Sequence, residues 1–221
     1  MTILLFGATG LAGGGVLQAC LAAPEVTEVR AVVRRSTGVR EPKLREIIHG
    51  DYLDYSKIPD AFAGVDAWLF CLGVSVSQVP LEADYRRIHQ QFPMAAAKLL
   101  RQRSTAAIFH YLSGGRAGLE SRWMWARVKA EAERDVMAAF DAVCWRPAMI
   151  DGEPSSSQPG LTRALRPLLR AMFKPFRSMY VENIDIGRGM LEATTQGLRR
   201  RIFENVEIRD LADRYRARAI T

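Results

Sequence analysis

The chain has 221 residues, 48% of them hydrophobic and 25% charged, enough for one large α/β domain with a sizeable core. No apolar run approaches the roughly eighteen residues that cross a bilayer, so stable membrane insertion is not expected. The net charge of +7 rests mostly on arginine and reads as a solvated basic surface, with no nucleic-acid partner.

The chain begins with an apolar run at residues 3–6 that stops at Gly7, with further glycines at Gly10 and Gly13 and a helix-compatible segment over 11–23. This is a strand, a tight turn and a helix. Gly7 allows the sharp exit from the strand, Gly10 lets the backbone approach a pyrophosphate, and Gly13 lets the helix lie close to the sheet. The helix N-terminus then offers free N–H groups and a positive dipole end to phosphate. No Gly-Lys-Ser/Thr follows, so the turn is not a P-loop. Gly14 and Gly15 fall outside the motif and should weaken the first helical turn by about 1 kcal/mol each relative to alanine.

Residues 29–34 read as the second strand. A dinucleotide site often carries an acid about twenty residues past the glycines to hold the adenine ribose. Here Arg34 and Arg35 stand there, a guanidinium pair suited to the 2′-phosphate of NADP. NADP(H) is therefore expected in preference to NAD(H). Residues 44–48 make a third strand ending at His49, Gly50 and Asp51. Asp51 either accepts from the adenine amino group or caps the short turn over 52–56. Residues 65–72, nearly all apolar, read as a strand covered on both faces, ending at Gly73.

A long helix is expected over 81–103, kinked by Pro93. A fifth strand spans 106–112 and delivers Ser113 at its end. Residues 121–140 are helical, with Met124, Val128, Ala132 and Val136 as the buried stripe, and Trp125 and Lys129 on an adjacent face. A sixth strand over 142–145 runs into Arg146 and Pro147, and residues 153–160 form a loop. Residues 161–176 read as a basic amphipathic helix with no acid between Leu161 and Val181, packed on the domain, closing as a lid over an anionic ligand, or meeting a membrane surface or a partner. A helix over 183–195, a short strand over 201–203 and a helix over 205–216 close the chain.

These pieces make a doubly wound parallel sheet with helices on both faces and a small C-terminal substrate or lid region. One domain is expected. Residues 1–150 would form its cofactor-binding core and 151–221 its substrate or lid elements.

Gly7, Gly10 and Gly13, Asp51 after strand three, Cys71-Leu72-Gly73 after strand four, Ser113, Lys129 and Arg146-Pro147 form one pattern. In it the chain resembles the atypical branch of the short-chain dehydrogenase/reductase superfamily, in particular small NAD(P)H-binding proteins related to nucleoside-sugar epimerases. The likeness covers about residues 1 to 205 and is most specific in the N-terminal motif and in Arg146 to Gly152. It implies a cofactor site formed by Gly7, Thr9, Gly10, Leu11 and Gly13 at the pyrophosphate. Arg34, Arg35, Asp51 and Tyr52 would serve the adenosine side, and Cys71, Leu72, Gly73, Lys129, Pro147 and Met149 the nicotinamide side.

The resemblance also implies catalysis by Ser, Tyr and Lys, in which the lysine lowers the tyrosine pKa from its usual value near 10. Ser113 and Lys129 match that pattern, but Trp125 occupies the tyrosine position, and an indole has no acid–base chemistry. Tyr111, Tyr85 and Tyr180 are the possible substitutes. Three readings follow: an oxidoreductase acting on a small carbonyl or hydroxyl compound, a catalytically impaired NADP(H)-binding sensor or regulator, or an epimerase-like or isomerase-like enzyme. The small-molecule substrate is not specified by the sequence.

Cys20, Cys71 and Cys144 read as reduced, buried thiols. The N-terminus has no basic region ahead of an apolar segment, so a cytoplasmic protein is expected. His49, His89 and His110 show no metal-ligand spacing, and no metal is expected. A monomer or a homodimer would suit the helices at 81–103 and 121–140.

Overall fold

The computed structural model describes residues 1–152, 167 and 170–219. Its centre is a seven-stranded parallel sheet in the order β3-β2-β1-β4-β5-β6-β9. The strands are β1 (Thr2–Phe6), β2 (Glu28–Val33), β3 (Leu44–Ile48), β4 (Ala67–Phe70), β5 (Ile108–Leu112), β6 (Val143–Arg146) and β9 (Arg201–Glu204). Two further strands, β7 (Met149–Asp151) and β8 (Tyr180–Glu182), pair in parallel with each other, Ile150 opposite Val181. The order reverses between β1 and β4, where such a sheet opens a crevice at its strand C-termini.

The sheet is buried on both faces, which is why its strands read as apolar runs. Ile3 and Leu5 point into one core with Leu69, Val143 and Trp145, while Leu4 and Phe6 point into the other with Trp68, Phe70 and Phe109. The first core is closed by α1 (Leu11–Ala22) and by two C-terminal helices, Asn183–Thr195 and Asn205–Arg218. The second is closed by a 3-10 turn at Pro59–Phe62 and by helices that include α4 (Met124–Phe140). Much of the region assigned to substrate or lid elements therefore lies in the core. No helix among the described residues is long and apolar enough to cross a membrane.

Several elements differ from the sequence expectation. β4 starts at Ala67 because the Val65 N–H goes to Ser104 Oγ at 2.9 Å instead of a neighbouring strand. The long helix is split into α2 (Glu82–Arg86), a π-helical turn (Arg87–Gln91) and α3 (Phe92–Arg103). The break precedes Pro93, which sits in the first turn of α3. An α-helix would satisfy the His89 carbonyl with the N–H of residue 93, and proline has none. That carbonyl instead accepts the Tyr111 hydroxyl at 2.8 Å.

The expected loop at 153–160 and most of the expected basic helix lie outside the described residues. Where its end is described, the positive face is neutralised by acids from distant elements. Arg170 lies 3.4 Å from Asp151, Lys174 lies 3.2 Å from Glu182, and Arg177 pairs with Asp210 and Asp213 at 2.7 and 2.8 Å. The two C-terminal helices, numbered α5 (Asn183–Thr195) and α6 (Asn205–Arg218), fall where the sequence placed them.

Candidate functional site

The glycine turn after β1 lies at the switch point. Gly7 has φ +83°, and a Cβ there would stand 2.5 Å from the Cys71 carbonyl oxygen. A Cβ on Gly13 would stand 2.0 Å from the Gly7 carbonyl oxygen, so α1 can start this close to the turn only with glycine at that position. The turn is closed by Gly10 N–H donating to Gly7 O at 2.9 Å. α1 begins at Leu11 with no side-chain cap and no acid in its first turn. Its first N–H groups and positive dipole end are therefore available to an anion, and Thr9 is exposed beside them. These features fit a pyrophosphate. The Leu11 carbonyl is held from behind by Asn183 Nδ2 at 2.8 Å.

On the adenosine side, Arg34, Tyr52 and Leu72 line one cavity of about 520 Å³ together with Arg87, Ile88 and Phe92. Arg34 and Arg35 are both exposed just beyond β2. Asp51 Oδ1 accepts from the N–H groups of Leu53 and Asp54 at 3.0 and 3.3 Å, the turn-capping geometry. Its neighbours Gly50 and Tyr52 line the cavity. Arg87 enters this cavity from the π-helical turn, a placement that no sequence motif signals.

At the ends of β4 and β5, Ser113 and Lys129 are brought together. Lys129 Nζ donates to the Ser113 carbonyl at 3.0 Å and the Leu112 carbonyl at 3.3 Å. Burial lowers the Lys129 pKa to about 8, opposed by the nearby Glu133 and Cys71. Ser113 is 5% exposed, and its hydroxyl has no hydrogen-bond partner among the described residues. Cys71 is buried next to Gly73, and burial raises its thiol pKa, which keeps it protonated.

His89 is a site neighbour that sequence reasoning missed. It is 1% exposed and packs 2.9 Å from where a Cβ on Gly73 would lie. Its Nε2 lies 3.1 Å from the Val74 carbonyl and 3.4 Å from the Val74 N–H, and its Nδ1 has no partner among the described residues. Burial, then the Lys129 charge, pushes its pKa to about 2, so the ring is neutral. A histidine within an apolar helix face gives no sign in sequence that it will meet the end of β4.

Trp125 lies in the first turn of α4, one turn before Lys129, with its ring 6.3 Å from that of Trp123. The possible tyrosine substitutes are committed elsewhere. Tyr111 is fully buried, bonded to His89, with burial holding its phenol well above the usual pKa. Tyr85 packs 4.1 Å from the His89 ring, and burial raises its pKa to about 12. Tyr180 is buried and donates to Asp151 Oδ2 at 2.6 Å. Beyond Ser113, Pro147 and Met149 line a second cavity, of about 480 Å³.

The family model for NAD(P)H-binding proteins matches residues 7–193. Among curated proteins, the chain is 24% identical over 164 residues to the mitochondrial protein fmp52 of Emericella nidulans, covering 71% of this chain and 70% of that protein. It is 27% identical over 162 residues to mitochondrial FMP52 of Saccharomyces cerevisiae, covering 72% and 69%. Among solved structures, it superposes with a TM-score of 0.72 on dTDP-glucose 4,6-dehydratase from Streptomyces venezuelae with NAD bound, at 17% identity over 100% of this chain and 82% of that one. UDP-glucose 4-epimerase from Thermotoga maritima gives a TM-score of 0.70 at 15% identity, covering 97% and 82%.

The relatives' mitochondrial names overturn the expectation of a cytoplasmic protein. Reduced buried thiols report a reducing environment, not which compartment supplies it. The family match agrees with the glycine cradle, and the shared sheet shows the same fold as the dehydratase and the epimerase: the chain belongs to the NAD(P)H-binding family.

Proposed function

We propose that the chain is an NADP(H)-dependent oxidoreductase acting on a small carbonyl or hydroxyl compound, with Lys129 in place of the missing tyrosine as the source of the proton. The observation that carries this reading is Lys129, poised at a pKa of about 8 and held on the Ser113 carbonyl at 3.0 Å, while the hydroxyl of the same serine has no partner among the described residues. A nicotinamide held there would supply or take up hydride at the substrate carbon. Ser113 donates a hydrogen bond to the substrate oxygen. The Lys129 ammonium has three donors, two of them held by carbonyls, and the third delivers a proton to that oxygen through water. Near neutral pH both protonation states of Lys129 are accessible, which a general acid–base group needs.

Arg34 and Arg35 support the preference for NADP(H), and Arg87 adds a second guanidinium to the cavity that Arg34 lines. Gly7, Gly10 and Gly13 would hold the pyrophosphate with Thr9 and Leu11 beside them. Tyr52, Leu72, Gly73, Pro147 and Met149 would flank the two ends of the cofactor.

A second reading, a cofactor-binding sensor with little turnover, is favoured by one observation. The buried Tyr111 and Tyr180 hydroxyls are committed to the His89 carbonyl and to Asp151, so neither is offered to Lys129, whose Nζ lies 5.9 Å from the Tyr111 ring centroid. NADPH oxidation across a panel of aldehydes and ketones separates the two. The oxidoreductase reading expects turnover that rises in Trp125→Tyr, where a phenol joins Lys129, and falls by about a hundredfold in Lys129→Met. Firm NADPH binding with no turnover in either the wild type or Trp125→Tyr would establish the sensor.

A further inference from the structure

The turn that brings Ser113 to the crevice ends in Arg116, which holds φ at 69°. A left-handed backbone is unfavourable for a residue with a Cβ, and such strain concentrates where a side chain must be aimed. Gly115 N–H donates to the Pro147 carbonyl at 2.8 Å and Ala117 N–H to the Gly114 carbonyl at 3.2 Å, with Ala117 buried beneath. The turn is thus fixed, and the exposed Arg116 side chain stands at the edge of the 480 Å³ cavity.

The cavity walls are largely apolar, formed by Pro147, Met149, Phe173, Met179 and Val206. Its other cation, Arg146, is bound to Glu133 at 2.6 Å and to Glu204 at 3.0 Å, which also accounts for the cavity's acid. Asn205 is committed to the Ala148 N–H and to the carbonyls of Arg177 and Tyr180. Arg116 alone among the charged lining residues has no ion-pair or hydrogen-bond partner among the described residues. An uncompensated guanidinium over an apolar pocket favours a ligand with an anionic head and an apolar body.

We propose that this cavity receives the substrate's body, an apolar skeleton ending in one carboxylate or phosphate that pairs with Arg116. The assignment rests on the reading of Ser113 and Lys129 as the reactive end of the same site. It gives the substrate a class: an anionic carbonyl or hydroxyl compound whose charge lies away from the reacting carbon.

Binding of 4-phenylbutyrate, its neutral amide and 4-phenylbutyl phosphate to the NADP⁺-saturated full chain, measured by calorimetry, tests the proposal. Wild type should bind one of the anions about tenfold tighter than the amide, and the better anion identifies the head group. Arg116→Gly suits a positive φ and should melt cooperatively at or above the wild-type temperature while losing the preference. Arg116→Lys should keep part of it. No preference in the wild type, or an undiminished one in Arg116→Gly, would overturn the assignment. Because the readout needs no turnover, anion preference without any NADPH oxidation would refute the oxidoreductase reading alone. Reduction of neutral carbonyls by NADPH without anion preference would refute this one alone.

Discussion

Lys129 is charged, half-buried and held by two carbonyls, so its titration should be visible in the protein's behaviour. Burial lowers its pKa from 10.5 to about 8. The unfolded chain therefore holds that proton between about pH 8 and 10.5 while the folded chain has released it, and this group's contribution to stability rises with pH across that window. Affinity for the anionic cofactor should move the other way, weakening as pH rises through about 8, and Lys129→Met should flatten that dependence. Tyr111 makes the opposite prediction. Tyr111→Phe strands the buried His89 carbonyl and should reduce stability by about 1–3 kcal/mol, while NADPH affinity stays within twofold. A loss of affinity on the scale of Lys129→Met would instead give Tyr111 a role in the site. Ser113 and Lys129 were readable because strand end and helix spacing place them without tertiary detail. His89 and Arg116 were not. One depends on a π-helical turn meeting Gly73, the other on a backbone angle that sequence does not display.

Elements bind each other through positions that look like defects in a one-dimensional reading. Gly15 appeared only to weaken α1, yet a Cβ there would stand 2.3 Å from Asn183 Cγ, where α5 begins against α1. Gly15→Ala should therefore lower stability by about 1–3 kcal/mol by overpacking, despite alanine's better helix propensity. Unchanged or raised stability in a denaturant titration would show that the two helices part easily. Because Asn183 also holds the Leu11 carbonyl behind the phosphate turn, the same variant should bind NADPH more weakly. The main strands were legible because both faces of the sheet are buried. β7 and β8 escaped notice because each has three residues, too few for alternation to register, and their partner strands lie about thirty residues apart. The acids that pair with the described end of the basic segment come from β7, β8 and α6 and reach it only in the folded chain, so its sequence shows uncompensated charge where the structure has ion pairs.

Across the whole molecule, the sheet places the phosphate turn, the adenosine cavity and the Ser113 turn along one edge, and two buried neutral histidines anchor it. His110 accepts from Trp145 Nε1 at 3.1 Å and meets Thr194 Oγ1 at 3.0 Å, joining β5, β6 and α5. Burial, then the Arg199 charge, lowers its pKa from 6.5 to about 3, and His89 falls to about 2. Below pH 6.5 the unfolded chain binds protons the folded chain refuses, so each histidine should remove about 1.4 kcal/mol per pH unit. The melting temperature should therefore fall steeply from pH 6.5 toward 4, and His110→Gln should remove roughly half of that slope. An unchanged slope would place the acid lability elsewhere. The whole site depends on the cofactor cradle. Titrating the wild type and Gly13→Ala with NADPH and NADH, followed by tryptophan fluorescence, is its most direct test. NADPH should bind the wild type about tenfold tighter than NADH, and neither nucleotide should bind Gly13→Ala, whose Cβ collides with the Gly7 carbonyl. Failure of either nucleotide to bind the wild type, or equal binding to Gly13→Ala, would contradict it.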